Sequence, residues 1–255
     1  MKPLAGRTAL VTGASRTIGI GAAVCRLLAE HGADIVFTHY LAYDRDLYNA
    51  PNDGPERIAA DVRSHGARCE AIACDLSATG AANQLMDNVW ERTEGIDILV
   101  NNAAYSTHDA WDTLTEDSLD RHYAVNLRGT AMLTVEFARR FTKGSGGRVI
   151  NFSSGQHLGA MPNELAYASS KGAIIAFTQS IAPDLARLGI TANVINPGPT
   201  DTGWMSDELK AGLITSTPAG RIGQPEDAAR LVAWLASDDA SWITGQVINS
   251  EGGLR

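Results

Sequence analysis

Short apolar runs alternate along the whole chain with longer segments whose apolar positions recur every three or four residues. The short runs are rich in Val, Ile and Leu, as expected of parallel strands buried on both faces, and the longer segments have the period of helices. This alternation predicts an α/β fold, in which a parallel sheet carries helices on both faces. The predicted strands are Thr8–Val11, Asp34–Thr38, Arg68–Ala73, Ile96–Asn101, Arg148–Phe152, Thr191–Ile195 and Gln246–Ile248. The predicted helices are Ile18–His31, Pro55–His65, Thr79–Thr93, Glu116–Phe141, Leu165–Leu188 and Pro225–Ala236.

Two connections between these elements are unusually long. Tyr40–Gly54 follows the second strand, and Gly198–Gly223 follows the sixth. Connections beyond about 12–15 residues in compact domains are usually functional or mobile. Because residues 198–223 leave the carboxyl end of a strand, where parallel sheets hold their ligands, we predict that they form a substrate lid. No linker or repeat divides the chain, so we expect one domain over residues 1–255.

Composition and charge exclude several classes of function. The formal net charge of -8 and the pI near 5.2 oppose binding to nucleic acid, because no net positive field is available to release counterions. The three cysteines are odd in number and match no metal or redox spacing, so we expect no metal site. No apolar stretch approaches the ~18 residues of a membrane span, and no apolar signal segment precedes the first strand. These features predict a cytoplasmic protein without membrane or nucleic-acid partners.

Glycines cluster immediately after the first predicted strand. Thr12, Gly13, Gly19 and Gly21 surround the turn that leads into the first helix. Glycine lets the backbone turn sharply and approach a pyrophosphate, whose charge then lies at the N-terminus of the helix. A lone glycine-rich turn is a weak signal, but its place after the first strand of an alternating chain favours nucleotide binding.

A second cluster of candidate residues lies near the fifth strand. Tyr167 and Lys171 are four residues apart in a predicted helix, and Ser154 ends the strand before it. The spacing puts a phenol and an ammonium on one helix face, although an exposed pair without function has the same spacing. The small residues at 168–170, 172 and 173 favour the functional interpretation, because they allow a ligand or another helix to approach closely. A serine, a tyrosine and a lysine beside a phosphate-binding turn are what carbonyl reduction by a nicotinamide needs.

The order and spacing of several motifs resemble the short-chain dehydrogenase/reductase family. These motifs are Thr12-Gly-Ala-Ser-Arg-Thr-Ile-Gly, Asn101-Asn-Ala-Ala, Asn126, Ser154, Tyr167-x-x-x-Lys171, Asn196-Pro-Gly-Pro-Thr and the closing Ile243-Thr-Gly-Gln with Glu251-Gly-Gly. Within the family, the pattern is most similar to 3-oxoacyl-carrier-protein reductases and glucose dehydrogenase-like members. The resemblance implies a Rossmann-type, doubly wound sheet of seven strands, a bound NAD(P)(H) and a homotetramer or homodimer. In such tetramers the helices predicted at 116–141 and 165–188 usually pair across a two-fold axis.

The resemblance implies catalytic roles for Asn126, Ser154, Tyr167 and Lys171. Tyr167 would be the general acid in reduction. The Lys171 ammonium and the positive charge of the oxidised nicotinamide would together move the pKa of the phenol down from its usual ~10, and Lys171 would also bind the nicotinamide ribose. Ser154 would donate to the substrate oxygen, but it could also be a strand-end cap, and Ser153 competes for the role. Asn126 would hold a water that links Lys171 to solvent. The alternative for Asn126 is a side chain bonded locally to backbone.

The resemblance also assigns cofactor-binding residues. They are Gly13, Ser15, Arg16, Thr17, Ile18, Gly19, His39, Asp75, Leu76, Asn102, Ala103, Tyr167, Lys171, Pro197, Gly198, Thr200 and Thr202. Asp75 would bond the adenine amine, with helix capping as the alternative. An acidic residue at the end of the second strand normally binds the ribose 2′-hydroxyl and repels a 2′-phosphate, but this chain has Thr38-His39-Tyr40 there. Arg16 would be the 2′-phosphate partner, or else a surface arginine stacked on the loop. The sequence therefore favours NADP(H), with NAD(H) as the alternative.

One departure from the family pattern leaves other functions open. Thr17 replaces the middle glycine of the turn, and its β-branched side chain takes up space, although its hydroxyl could bond a phosphate oxygen. The favoured hypothesis is an oxidoreductase that transfers a hydride between NADP(H) and a ketone or secondary alcohol. The alternatives are a catalytically weak nucleotide-binding regulatory protein and an enoyl-thioester reductase, which would use Ser154 less directly. The candidates for a partly apolar, aromatic substrate cleft, several of which core packing would explain equally well, are Tyr105, Trp111, His157, Leu158, Trp204 and Met205.

Overall fold

The computed structural model describes residues 2–254 and contains a seven-stranded parallel sheet with helices on both faces. The predicted fold class is therefore confirmed, and the predicted strand bounds agree with the observed ones to within one or two residues. Across the sheet the strands follow the order β3-β2-β1-β4-β5-β6-β7. Their bounds are β1 Thr8–Val11, β2 Asp34–His39, β3 Cys69–Ala73, β4 Ile98–Asn101, β5 Gly147–Phe152, β6 Ile190–Asn196 and β7 Val247–Asn249.

The helices include two that the sequence pattern did not predict. The α-helices are α1 Ile20–Glu30, α2 Leu41–Tyr48, α3 Gly54–Ser64, α4 Ala81–Arg92, α5 Glu116–His122, α6 Thr130–Arg140, α7 Leu165–Arg187, α8 Asp207–Ser216 and α9 Pro225–Ala236. Both long connections, expected to be irregular, thus contain a helix. Only Asp44 of α2 and no residue of α8 is buried, so neither helix has the broad apolar stripe from which helices are predicted.

The prediction of one continuous helix at Glu116–Phe141 is wrong, because the helix is interrupted in its middle. A π-helical segment, Tyr123–Gly129, separates α5 from α6, and Asn126 lies within it. Short π-helical turns inside α-helices are rare and occur frequently at functional sites. The sequence could not show this break, because the hydrophobic periodicity of a seven-residue segment barely changes when its hydrogen bonds shift by one residue.

Alternate residues of each central strand pack against opposite helical layers. Leu10, Val36 and Leu99 belong to the cluster that α4, α6 and α7 complete, whereas Ala9 and Val11 belong to the cluster formed with α1, α3 and α9. Both faces of the sheet are therefore covered, which explains the continuous apolar runs in the sequence.

The order of the strands reverses between β1 and β4. The chain moves from β1 to β2 and β3 on one side, and then returns to β4 on the other side of β1. In open parallel sheets, ligands bind in the crevice outside the carboxyl ends of the strands at such a point. Among residues 2–254, no helix has both the length and the apolar character required to cross a bilayer.

Candidate active site

A large cleft opens at the carboxyl edge of the sheet, beside the point where the strand order reverses. Its volume is about 1390 Å³, above the roughly 300–1,000 Å³ typical of small-molecule pockets. The walls come from the turn after β1, the end of β2, the loops after β4 and β5, the start of α7 and residues 197–213. The cleft thus has room for a long ligand that reaches from the glycine-rich turn to Tyr167.

The glycine-rich turn is locked to the end of β4. Gly13 has φ +74°, and a Cβ added to it would lie 2.6 Å from the Cα of Ala103, so only glycine fits without rearrangement. The Thr12 hydroxyl accepts hydrogen bonds from the backbone N–H groups of Asn102 (3.1 Å) and Ala103 (3.0 Å). The Asn102 side chain in turn donates to the carbonyl oxygens of Thr12 and Gly13, both at 2.9 Å. The floor of the cleft is therefore rigid.

The N-terminus of α1 fits an anionic group. Its N-cap is Gly19, and among the described residues no side chain caps this end and no acidic residue lies in its first turn. The free N–H groups of a helix N-terminus and its dipole attract a phosphate. Gly19, Ile20 and Gly21 line the cleft, so this end faces the space where the pyrophosphate of a dinucleotide would lie. At the end of β2, the Nδ1 atom of His39 is buried and has no hydrogen-bond partner within residues 2–254.

Three of the predicted catalytic residues meet at the opposite end of the cleft. Ser154, Tyr167 and Lys171 all line it. The Lys171 ammonium lies 5.7 Å from the centre of the Tyr167 ring and donates a 2.9 Å hydrogen bond to the Phe152 carbonyl at the end of β5. Tyr167 and Lys171 lie on α7, and Ser154 lies two residues beyond the buried strand β5, so elements of the core position all three side chains.

Burial shifts the pKa values of Tyr167 and Lys171 in opposite directions. Burial raises the pKa of Tyr167 to about 12, the Glu164 carboxylate adds to the effect, and hydrogen bonding with the Ser154 hydroxyl acts in the opposite direction. Burial also lowers the pKa of Lys171 to about 8. For the protein by itself, burial therefore places the pKa of the phenol above its usual value, and the combined effect of Lys171 and an oxidised nicotinamide stays a prediction.

The two neighbouring serines have different environments. The Ser153 hydroxyl is buried and donates to the Ser154 carbonyl at 3.1 Å. The Ser154 hydroxyl contacts the sulfur of Met161 at 3.9 Å and hydrogen bonds with Tyr167. Ser154 is thus the serine whose hydroxyl adjoins the Tyr167 phenol, and Ser153 supports the backbone beneath it.

Asn126 lies under the cleft rather than on its wall. Its side-chain amide exchanges two hydrogen bonds with the backbone of Tyr105, at 2.7 and 2.9 Å, and donates to the Ser170 hydroxyl at 2.9 Å. Because Tyr105 is 21 residues away, Asn126 is not bonded locally, as the alternative had it. It joins the loop after β4 to α7, next to Lys171, and the water relay stays a prediction.

Two further residues support Tyr167 and were not predicted. The buried Asp109 carboxylate accepts hydrogen bonds from the backbone N–H groups of Leu165 (2.6 Å) and Ala166 (3.2 Å), and from the Ser118 hydroxyl (3.1 Å). It therefore caps the N-terminus of α7 from a distant loop. His122 packs edge-on between Tyr105 and Tyr167, with ring centres 4.9 and 6.4 Å away. Burial lowers its pKa.

Most of the predicted cofactor residues lie on the cleft, but two do not. Thr17 and Ile18 are absent from its walls: the Thr17 carbonyl accepts from the Arg26 guanidinium, and Ile18 is exposed and directed towards Gly203. The turn bulges towards solvent here, so Thr17 does not obstruct the cleft. The residues that do line it are Gly13, Ser15, Arg16, Gly19, His39, Asp75, Leu76, Asn102, Ala103, Tyr167, Lys171, Pro197, Gly198, Thr200 and Thr202.

Asp75 makes local contacts in the turn after β3 but does not cap a helix as the alternative had it, since α4 begins at Ala81 with Gly80 as its N-cap. One of its carboxylate oxygens accepts hydrogen bonds from the backbone N–H (2.8 Å) and the hydroxyl (2.6 Å) of Ser77. The same carboxylate raises the pKa of Tyr40, which follows β2. Asp75 thus orders the turn after β3 while it lines the cleft, and a bond to adenine stays a prediction.

The substrate end of the cleft is partly apolar. Of the six side chains predicted there, Tyr105, Leu158 and Trp204 line it, whereas Met205 is buried elsewhere and Trp111 and His157 are exposed outside it. The walls also include Tyr43 and Tyr48 from α2 and Leu209 and Leu213 from α8. No group of three or more His, Cys, Asp or Glu in the described part of the chain is arranged to hold a metal ion.

Comparisons with known proteins agree with this geometry. Residues 13–255 match a family model described as enoyl-(acyl carrier protein) reductase. The chain is 50% identical over 250 residues to the uncharacterized oxidoreductase YjdA of Bacillus subtilis, covering 97% of this chain and 96% of that one. A short-chain dehydrogenase/reductase from Serratia marcescens superposes with a TM-score of 0.88 at 34% identity, covering 99% of both chains. A Burkholderia cenocepacia short chain dehydrogenase, solved in complex with NADP, gives 0.87 at 33% identity, again covering 99% of both. The chain therefore belongs to the short-chain dehydrogenase/reductase family and is an NAD(P)-dependent oxidoreductase.

Proposed function

We propose that the protein transfers a hydride between NADP(H) and a ketone or secondary alcohol. The observation that carries this proposal is the convergence of Ser154, Tyr167 and Lys171 at one end of a cleft whose other end is a glycine-rich turn. A dinucleotide bound along the cleft, with its pyrophosphate at the N-terminus of α1, would present its nicotinamide to Tyr167. The nicotinamide supplies or accepts the hydride when it is bound.

Tyr167 acts as the general acid in the direction of reduction. Its raised pKa, about 12, keeps the phenol protonated at neutral pH, so the proton is available to the alkoxide oxygen that forms on the substrate. Because the lowered pKa of Lys171 is still about 8, its side chain is protonated in most of the protein molecules at pH 7. This positive charge stabilises the phenolate that remains after Tyr167 gives up its proton. Ser154 donates its hydroxyl to the same substrate oxygen and stabilises the developing charge.

Arg16 and the end of β2 support NADP(H) as the favoured cofactor. An acidic residue that would repel a 2′-phosphate is missing from Thr38-His39-Tyr40, and Arg16 lines the cleft at the neighbouring turn. The similar Burkholderia protein was solved with NADP. NAD(H) is the alternative, because a cleft that accepts the phosphorylated dinucleotide also has room for one whose adenosine ribose lacks the 2′-phosphate.

Enoyl-thioester reduction is the second candidate, and the description of the matching family model favours it. Ser154 distinguishes the two reactions. A hydroxyl beside Tyr167 is aimed at an oxygen that becomes an alkoxide, which happens in carbonyl reduction, whereas enoyl reduction adds its hydride to carbon further from that oxygen. The homotetramer, the cytoplasmic location and the lid role of residues 198–223 remain predictions from the sequence.

The test is oxidation of NADPH and NADH in the presence of ketones, enoyl thioesters and oxoacyl thioesters, with Tyr167→Phe as the key variant. We expect ketone-dependent oxidation of NADPH, and a loss of about 10²–10⁴-fold in turnover in the variant, with nucleotide binding retained. Tyr123→Phe removes a hydroxyl outside the cleft and serves as the matched control. Unchanged turnover in Tyr167→Phe would reject the assigned acid, and turnover of enoyl thioesters alone would favour the second candidate.

A further inference from the structure

The segment between β2 and α3, residues 40–54, lies along the cleft, from the glycine-rich turn to the loop after β4. We call it the α2 segment. Both of its ends are fixed to Ser15 of the glycine-rich turn: the Tyr40 N–H donates to the Ser15 hydroxyl at 3.1 Å, and a Cβ added to Gly54 would lie 2.0 Å from the Ser15 carbonyl oxygen. On the far side, the Ser106 N–H donates to the Tyr43 hydroxyl at 3.1 Å. Helix α2 therefore bridges the turn and the loop after β4.

Within this bridge, Arg16 already has an acidic partner. Its Nε atom lies 3.0 Å from the Asp44 carboxylate, and the guanidinium carbon lies 3.8 Å from the centre of the Tyr48 ring. Its Nη1 atom donates to the Thr202 carbonyl at 2.7 Å. The Arg16 and Asp44 side chains are only 18% and 12% exposed. The pair is thus shielded from solvent, and its partners interact more strongly than those of a surface salt bridge.

This ion pair has a direct consequence for nucleotide recognition. A 2′-phosphate that binds Arg16 must compete with Asp44 for the same guanidinium, and two negative groups on one cation repel each other when both are partly desolvated. A ribose 2′-hydroxyl meets no such repulsion and can donate a hydrogen bond to a carboxylate, which is how acidic residues select NAD(H). In this chain the carboxylate comes from an added helix and not from the end of β2.

We propose that Asp44 sets the preference of this protein between NADP(H) and NAD(H), by competing with the 2′-phosphate for Arg16. The proposal rests on the proposed function only in that the cleft binds a nicotinamide dinucleotide. With Asp44 present, NADP(H) binds more weakly than it would to Arg16 without a competing carboxylate. Asp44 therefore reduces the difference in affinity between NADP(H) and NAD(H). Removing its charge while keeping its size should release Arg16 for the phosphate.

The test measures binding, without turnover, of four probes: NADPH, NADH, and the adenosine fragments 2′,5′-ADP and 5′-AMP. Titration calorimetry gives the Kd of each for the wild type, for Asp44→Asn and for Asp46→Asn. Asp46 is the matched control, because it lies on the same helix and lines the same cleft, but its carboxylate is 72% exposed and pairs with Arg45. Asp44→Ser replaces Asp44→Asn should the latter not fold.

We expect Asp44→Asn to tighten 2′,5′-ADP and NADPH by about tenfold or more relative to 5′-AMP and NADH, and Asp46→Asn to shift all four probes alike. In an Arg16→Met background the selective effect of Asp44→Asn should disappear, because the competition acts through Arg16. A ratio of Kd values that changes by less than about twofold in Asp44→Asn, or equally in Asp46→Asn, would overturn the proposal. Failure of the wild type to bind any of the four probes would instead reject the proposed function.

Discussion

The two ends of the cleft differ in the partners of their positively charged side chains. At the catalytic end, Lys171 donates to a backbone carbonyl of β5, and no carboxylate within the described residues forms a salt bridge with it. At the nucleotide end, Arg16 is paired with Asp44 and covered by Tyr48. Under the proposed function, the catalytic end keeps its cation available for the reaction, whereas Arg16 at the nucleotide end would exchange one anionic partner for another. We therefore expect separate residues to control the chemistry and the choice of cofactor.

The elements that carry these residues also differ. Tyr167 and Lys171 come from α7, and Ser154 follows β5; both elements pack in the core. The α2 segment lies outside the sheet and is fixed to the glycine-rich turn and to the loop after β4. Changes at the catalytic end should alter turnover while nucleotide binding is kept. Changes at the nucleotide end should alter the order and selectivity of binding while the chemical step is kept.

The comparison is tested most strongly by the two neighbouring serines. We expect Ser154→Ala to lower kcat by about 10²–10³-fold, because it removes a donor to the developing alkoxide. Ser153→Ala should stay close to the wild type, since its hydroxyl contacts only the Ser154 carbonyl. Steady-state kinetics with a saturating ketone measures both. Equal losses in the two variants would mean that the effect is structural and not chemical.

The sequence predicts those features of the fold and the site that leave a local pattern, and it does not predict those that depend on distant contacts. The strands and the candidate catalytic residues are visible in the sequence because buried runs and fixed spacing leave a local pattern, as in Tyr167 and Lys171. Asp109 left none: it caps α7 from a position 56 residues earlier, and only the fold brings the two together. The effect of burial on the pKa of Tyr167 left no local pattern either, because burial depends on the packing of the whole site.

Titration of Lys171 offers a second test of the catalytic end. Its pKa is lowered from 10.5 to about 8, so between these pH values the unfolded chain binds more protons than the folded one, and stability rises with pH. Relative to Lys171→Met, the free energy of unfolding of the wild type should rise by up to about 3 kcal/mol over this range and stay level below it. Urea unfolding at several pH values measures the difference, in which contributions from other groups cancel. If the free energies of unfolding of the wild type and Lys171→Met changed in parallel with pH, Lys171 would not be desolvated.

Asp109 extends the catalytic end beyond the residues that touch substrate. Asp109→Ala leaves two N–H groups at the start of α7 without a charged acceptor, so we expect a loss of about 2–3 kcal/mol in stability and a fall in kcat as Tyr167 loses its position. Asp112→Ala, on the exposed part of the same loop, should change neither. Unfolding by urea together with kcat separates the effects. A variant with normal stability and kcat would remove Asp109 from the support of Tyr167.

The smallest expected effect tests how firmly the α2 segment is fixed. In Gly54→Ala the new Cβ would lie 2.0 Å from the Ser15 carbonyl oxygen. Because that oxygen belongs to the backbone and the backbone of residue 54 fixes the Cβ, one of the two segments must move. We expect a loss of about 1–2 kcal/mol, because a peripheral segment can shift more easily than the core. Gly212→Ala provides the matched control, since nothing lies within 4 Å of its Cβ and it is part of α8, where alanine should stabilise by about 0.4–1 kcal/mol. Thermal unfolding shows whether each variant is less or more stable than the wild type. Limited proteolysis shows whether cleavage in Gly54→Ala begins within residues 40–54. If Gly54→Ala proved as stable as the wild type and no more easily cleaved, the close backbone contact between Gly54 and Ser15 would not be what fixes the α2 segment, and the Arg16–Asp44 pair would be its main link to the turn.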